Sequence, residues 1–129
     1  MADLCDSKPM PITHIPGRRL TNGESFYTDW TQRGGDSMLL RAELIADVGT
    51  SNLVITVEDR TEPGVTPGVV SSEEPGGTAW TLTASSGTGV QTAYYDASME
   101  AQIRLKVECT AGTYVVARIF PPVFFDNAK

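Results

Sequence analysis

The chain holds one histidine and two cysteines. It has no apolar run near the roughly 20 residues that a membrane helix needs. Each scarcity removes a class of function. His14 sits between Thr13 and Ile15 in a proline-rich stretch. A Ser-His-Asp or Cys-His centre would need that stretch docked rigidly against an acid and a nucleophile, so a contact or exposed residue is the plainer reading. Cys5 and Cys109 match no zinc or redox spacing, which needs close pairs. A disulfide between them stays open, and reduced thiols are expected of a protein made in the cytoplasm. Cytoplasmic synthesis is read from Met1 to Cys5, which lack the basic start and apolar stretch of a secretory signal. Positive charge is also short, with 10 Lys and Arg against 16 Asp and Glu and a net charge of −6 at pH 7. A nucleic-acid partner therefore has no electrostatic footprint, and no membrane partner is indicated. No HExxH, GxxxxGK[ST] or calcium-loop pattern occurs, and the GxG at Gly87 and Gly89 lacks a third glycine and a following helix. Of the paired carboxylates, Glu58 and Asp59 are strand neighbours that face opposite ways, and Glu73-Glu74 lies in a loop. Neither pair holds two carboxyls across a substrate. No catalytic residue, cofactor or metal ligand is expected, and the chain reads as a binding or structural module rather than an enzyme.

What the sequence does hold is alternation. At 129 residues the chain is long enough for one domain with a real core. In SNLVITVEDR, Leu53, Ile55 and Val57 share one face. In AQIRLKVECT, Ile103, Leu105, Val107 and Cys109 oppose Arg104, Lys106 and Glu108. This period of two marks antiparallel strands with one wet face. TYVVARIF repeats it with Val115, Ala117 and Ile119, and the short Thr110-Ala111-Gly112 turn predicts a hairpin with the preceding strand. SMLLRAELIADV is rich in helix formers, yet Met38, Leu40, Ala42 and Leu44 alternate with Leu39, Arg41, Glu43 and Ile45, which predicts a strand. ESFYTDW, TAWTLTAS and VQTAYY complete the set, and Asp96 is placed to cap a short turn through Met99. Many short strands with Gly- and Pro-rich connections predict an all-β, antiparallel two-sheet β-sandwich, jelly-roll-like, with almost no helix.

Two segments stand apart from that pattern. TEPGVTPGVVSSEEPGG (61–77) reads as one long surface or contact loop. KPMPITHIPG, inside residues 1–20, carries Pro9, Pro11 and Pro16, which exclude helix and disfavour a central strand. Residues 1–20 are expected as an extended arm outside the sandwich domain of 21–129, with a reach of roughly 60 Å. Its apolar side chains gain from burial only against another surface. The expected contact residues are Met10, Ile12, Ile15, Arg18, Arg19 and Leu20. Phe124 and Phe125, after Pro121-Pro122, either fold back on the sandwich edge or join an interface. Trp30, Trp80, Tyr94 and Tyr95 could form a sugar-stacking platform, although large aromatics in a small sandwich more often serve core or interface.

The proline arm, SNLVITVEDRT, and AWTLTASSGTGVQTAYYDASMEAQIRLKVECTAGTYVVARIF with its aromatic finish resemble small virion proteins of tailed bacteriophages, specifically capsid decoration (cement) proteins. The resemblance spans roughly residues 35–125 and carries over no functional residue. It implies a β-sandwich set as an oligomer, often a trimer, on the capsid exterior. There it would bind the major capsid protein and clamp neighbouring subunits against the pressure of packaged DNA. Another virion role (tail, spike or neck) and a carbohydrate- or receptor-binding module are the alternatives.

Overall fold

A computed structural model describes residues 15–83, 89–96 and 99–126, and among these it is all strand, turn and loop, with no helix. The strands are β1 (Ile15–Thr21), β2 (Ser25–Tyr27), β3 (Thr31–Gln32), β4 (Ser37–Val48), β5 (Leu53–Arg60), β6 (Gly68–Val70), β7 (Trp80–Leu82), β8 (Gly89–Tyr95), β9 (Gln102–Cys109), β10 (Tyr114–Ile119) and β11 (Val123–Phe125). They form two antiparallel sheets. In the β9 sheet, β2 and β3 flank one side of β9, β5 flanks the other, and β6 and β7 lie beyond β5. In the β4 sheet, β8 pairs one side of β4, β10 and β11 share the other, and β1 lies beyond β10.

The predicted inward faces meet between these sheets. Leu53, Ile55, Val57, Ile103, Leu105 and Val107 face Met38, Leu40, Ala42, Leu44 and Val115, and all are completely buried. Each full aliphatic burial contributes about 1.5–3 kcal/mol against an extended chain, an upper bound. β4 is a strand despite its helix formers because two flanking ladders and the opposing sheet reward a period of two, outweighing local propensity. Its alternation stops at a bulge. Val116 opposes Ala46 while Ala117 opposes Leu44, so Ile45 is the extra residue, and it points outward at 46% exposure. Beyond it the phase reverses, and the Asp47 carboxylate accepts the Ser51 amide at 2.6 Å. Burial also pushes the Tyr95 phenol well above the ordinary tyrosine range, which keeps it neutral in the core.

Three expectations need correction. β9 and β10 do not form a hairpin, because β9 pairs in one sheet and β10 in the other. Thr110 to Thr113 is a corner that crosses the sandwich. It meets two other crossings, 22–24 and 49–52, through Gly23 N to Cys109 O (2.9 Å), Thr110 N to Asn52 O (3.1 Å) and Thr113 N to Val48 O (3.0 Å). These bonds satisfy the corner's backbone without a hairpin ladder.

Residues 15–20 do not lie outside the domain. β1 is an edge strand on β10, and Leu20 is in the core at 2% exposure. Pro16 is accommodated because Ala117 opposes Arg18 while Ile119 opposes Ile15. Three steps on β1 therefore match two on β10, a bulge where the missing donor does no harm. The expected boundary between residues 20 and 21 falls inside this strand. The stretch 61–77 likewise has structure of its own: β6 pairs with β5, and Ser72 and Glu74 bridge to Gly77 and Tyr94. The predicted turn after Asp96 includes residues 97 and 98, which lie outside the described residues.

Candidate interaction surface

The outer face of the β9 sheet collects aromatic and cationic side chains. Inward Leu105, Val107 and Val57 force their neighbours Arg104, Lys106 and Glu58 outward. The ladder register sets Arg104 directly opposite Glu58 and Gln102 opposite Arg60. Arg104 donates to Glu58 Oε1 through Nε (2.9 Å) and Nη2 (2.8 Å), and Arg60 Nε donates to Gln102 Oε1 (2.7 Å). On β2 and the link that follows, Tyr27 and Trp30 lie beside these groups. The Arg104 guanidinium is 4.0 Å from the Tyr27 ring centroid and 4.6 Å from that of Trp30, and Arg60 is 4.1 Å from Trp30. The link itself is held. Thr28 N donates to Leu105 O, the Leu105 amide donates to Thr28 Oγ1 (both 2.9 Å), and Arg33 donates to the carbonyls of Ala101 and Met99. The result is a preorganised aromatic strip with 48% of Tyr27 exposed.

Arg104→Ala removes one ion pair and two ring contacts and leaves Glu58 unpaired. At about 0.5–1 kcal/mol for each of these three part-buried contacts, the expected loss is roughly 1.5–3 kcal/mol. It is measured as a shift of the urea midpoint with an unchanged slope.

The same motif recurs over the molecule. Eight Lys and Arg residues lie in the described part, and seven of them sit over an aromatic ring. Arg33 is the exception. Arg41 and Arg118 bracket Phe120 at 5.1 and 5.3 Å on the outer face of the β4 sheet, where Arg118 also pairs with Glu43. Sequence reading missed this arrangement because most of the rings and cations are far apart in the chain. Its local traces are Arg104 and Lys106 at alternate, outward positions and Arg118 two residues before Phe120.

The expected contact residues are not gathered on one surface. Met10 and Ile12, with His14 and Cys5, lie outside the described residues. Ile15 opens β1 opposite Ile119. Arg18 lies over Phe26 at 4.0 Å, Arg19 over Tyr114 at 4.4 Å, and Leu20 is in the core. Phe124 opposes Met38 and packs against the core, so the C-terminal segment folds back as β11. Phe125 remains 40% exposed, stacked on Tyr94 with centroids 5.9 Å apart. The candidate sugar platform is dispersed. Trp80 and Tyr95 are core residues, Trp30 is on the β9 sheet, and Tyr94 is on the β4 sheet, where its hydroxyl donates to Ser37 Oγ at 3.3 Å. The Glu58–Asp59 pair splits as expected: Glu58 faces out to Arg104, while buried Asp59 accepts the Glu100 amide at 2.9 Å. Among the described residues no group of three or more His, Cys, Asp or Glu could hold a metal ion, and no helix is long and apolar enough to cross a membrane. Comparison of the chain with protein-family models, with curated proteins and with solved structures finds no match.

Proposed function

We propose that this chain is a non-enzymatic structural subunit of a bacteriophage virion, one that decorates the capsid exterior and stabilises it by binding the outer surface of capsid subunits as a homo-oligomer, a trimer. The observation that carries the reading is the partly exposed Tyr27–Arg104–Trp30 strip on a laddered sheet. Tyr, Trp and Arg are the residue types that dominate protein contact energies. A carbohydrate-binding module draws less support from the same strip, since guanidinium groups already cover ring faces on which a sugar would stack. The jelly-roll-like form of the sandwich belongs to this reading. It is supported by repeated crossings between sheets, as at β1 to β2, β4 to β5, β8 to β9 and β9 to β10. Residues 1–14 join the domain at its edge strand, and in this reading Met10 and Ile12 rest on the capsid.

Mass spectrometry of purified particles is the test, with many copies per head as the expected result. A variant lacking residues 1–14, which leaves β1 intact, is expected to fold with an unchanged far-ultraviolet spectrum and to lose particle binding. Absence from particles overturns the virion reading, and a location on the tail replaces the capsid role with another virion role.

A further inference from the structure

The two edges of the β4 sheet are built differently. β1 is blunted against further pairing by Pro16, a bulge, Arg18 and Arg19. β8 (GVQTAYY) has none of these devices, and the sequence carries no charged residue from Pro75 to Tyr95. Its register on β4 is unbroken from Gly89 to Tyr95. The side of β8 away from β4 is used at one end only. Tyr94 N donates to Glu74 O and the Glu73 amide donates to Tyr94 O, both at 2.8 Å. Bonding in an antiparallel ladder alternates along the strand, so Thr92 and Val90 turn their amides and carbonyls to that same side. Among the described residues nothing bonds them there. Both are exposed, Val90 at 54%. Two donor–acceptor sites on an uncharged edge stand open.

We propose that this edge receives residues 9–12 of a neighbouring copy as an added antiparallel strand, Met10 opposite Thr92 and Ile12 opposite Val90. The proposal rests on the oligomeric reading above and names the contact that builds the oligomer.

The phase of the prolines identifies the occupant. A strand added at an edge bonds inward at every second residue, and the residues between turn their backbone to solvent. In PMPI, Met10 and Ile12 keep their donors, while Pro9 and Pro11, which have none, fall at the outward positions. Each proline also biases the residue before it, Lys8 or Met10, toward extended geometry. Outward prolines cannot donate to a further strand, so the sheet grows by one strand and stops. In strand addition of this kind the main-chain bonds supply the affinity. Opposed residues share a face. The Met10 and Ile12 side chains therefore stand beside those of Thr92 and Val90 on the outer face, where the capsid contact above can use them.

A copy cannot fill its own edge. Ile15 opposes Ile119, Ile119 opposes Ala42, and Ala42 opposes Gln91. The arm thus leaves the sheet level with the open sites but at the opposite edge. The outer side of β8 is four strand spacings from β1, about 19 Å at roughly 4.8 Å each. Ile12 is three residues from Ile15 and reaches about 11 Å at most. A neighbour whose β1 lies beside this β8 meets no such limit. Donor and receiver sit on opposite edges, so the contact is heterologous and forms a ring when its rotation closes.

The test uses variants of the full chain. Met10→Pro with Ile12→Pro removes both donors and changes nothing in the folded domain. Thr92→Pro removes a donor of the receiving edge and no bond to β4, and circular dichroism checks its strand spectrum. By sedimentation at micromolar concentration, wild type is expected to be trimeric and each variant monomeric. Their equimolar mixture should give a species of twice the 13.9 kDa chain mass and nothing larger, since one good arm and one good edge remain. Pro9→Ala with Pro11→Ala, which restores donors only at the outward positions, should stay trimeric. Hydrogen exchange should show the Val90 and Thr92 amides protected in wild type and unprotected in the Met10→Pro, Ile12→Pro variant. Trimers that survive in that variant overturn the arm-to-edge pairing while the oligomeric reading stands. Amides that stay protected in it also overturn the pairing, and assign the edge to another occupant such as a second β8. A monomeric wild type overturns the oligomeric reading itself.

Discussion

Gly112→Ala is expected to abolish the cooperative folding transition or to lower stability by roughly 3 kcal/mol or more, the sum of a left-handed backbone cost and a packing clash. Gly112 has φ of 68°, and a Cβ there would lie under 3.0 Å from Ser51 Oγ, the Gly49 carbonyl oxygen and the Ser51 nitrogen. Two of those atoms are backbone, in the crossing from β4 to β5. Relief would therefore move that corner away from the one between β9 and β10, breaking Thr110 N to Asn52 O and Thr113 N to Val48 O. Gly64→Ala separates the two costs. Gly64 also has positive φ (90°), but a Cβ there meets nothing within 4 Å, so only the backbone term of about 1 kcal/mol applies. Urea unfolding of both variants is the measurement. Equal losses would show that the meeting of the corners contributes nothing beyond backbone conformation.

Leu105→Ala is expected to lose about 2–5 kcal/mol, transfer of the deleted carbons plus the void they leave. That is a large share of the 5–15 kcal/mol available to a domain of this size. Leu105 is completely buried, opposes Val57 in the ladder, and has little room to relax because the facing β4 side chains are equally enclosed. Its neighbour is the control. Lys106 points outward, and Lys106→Ala is expected to lose no more than about 1 kcal/mol, for a long contact to the Tyr27 ring and a 4.0 Å ion pair with Glu108. The urea midpoint should fall steeply for the first variant and far less for the second. A small loss at Leu105 would place the contact between the sheets elsewhere.

The contrast between Leu105 and Lys106 was legible in the chain because it depends only on parity. An apolar residue at every second position puts one face against the core wherever the strand pairs. The inward faces of β5, β9 and β10, the first half of β4 and the opposite orientations of Glu58 and Asp59 all follow from that rule. So does the class of fold, two antiparallel sheets enclosing one apolar layer.

What parity does not carry is the partner of each strand. The turn after Cys109 reads locally as a hairpin, yet it crosses between sheets, because its backbone bonds go to the crossing before β5 rather than to its own flanking strands. Ile45 breaks phase for a reason found in β10, and Pro16 is tolerated because β1 is an edge strand whose bulge absorbs the missing donor. Pro16 correctly excludes helix where β1 begins, but the prolines of the stretch say nothing of where that strand ends. For that reason an arm boundary at residue 20 looked natural in the chain while Leu20 lies in the core. The interaction surface was the least legible part. Tyr27, Trp30, Arg60 and Arg104 come from three separate stretches, and only the registers of β2 and β5 on β9 bring their rings and guanidinium groups within 5 Å. Local patterning determines which way each side chain faces, and long-range pairing decides which side chains meet, since the ladder bonds that select a partner are the same for every sequence that fits the pleat.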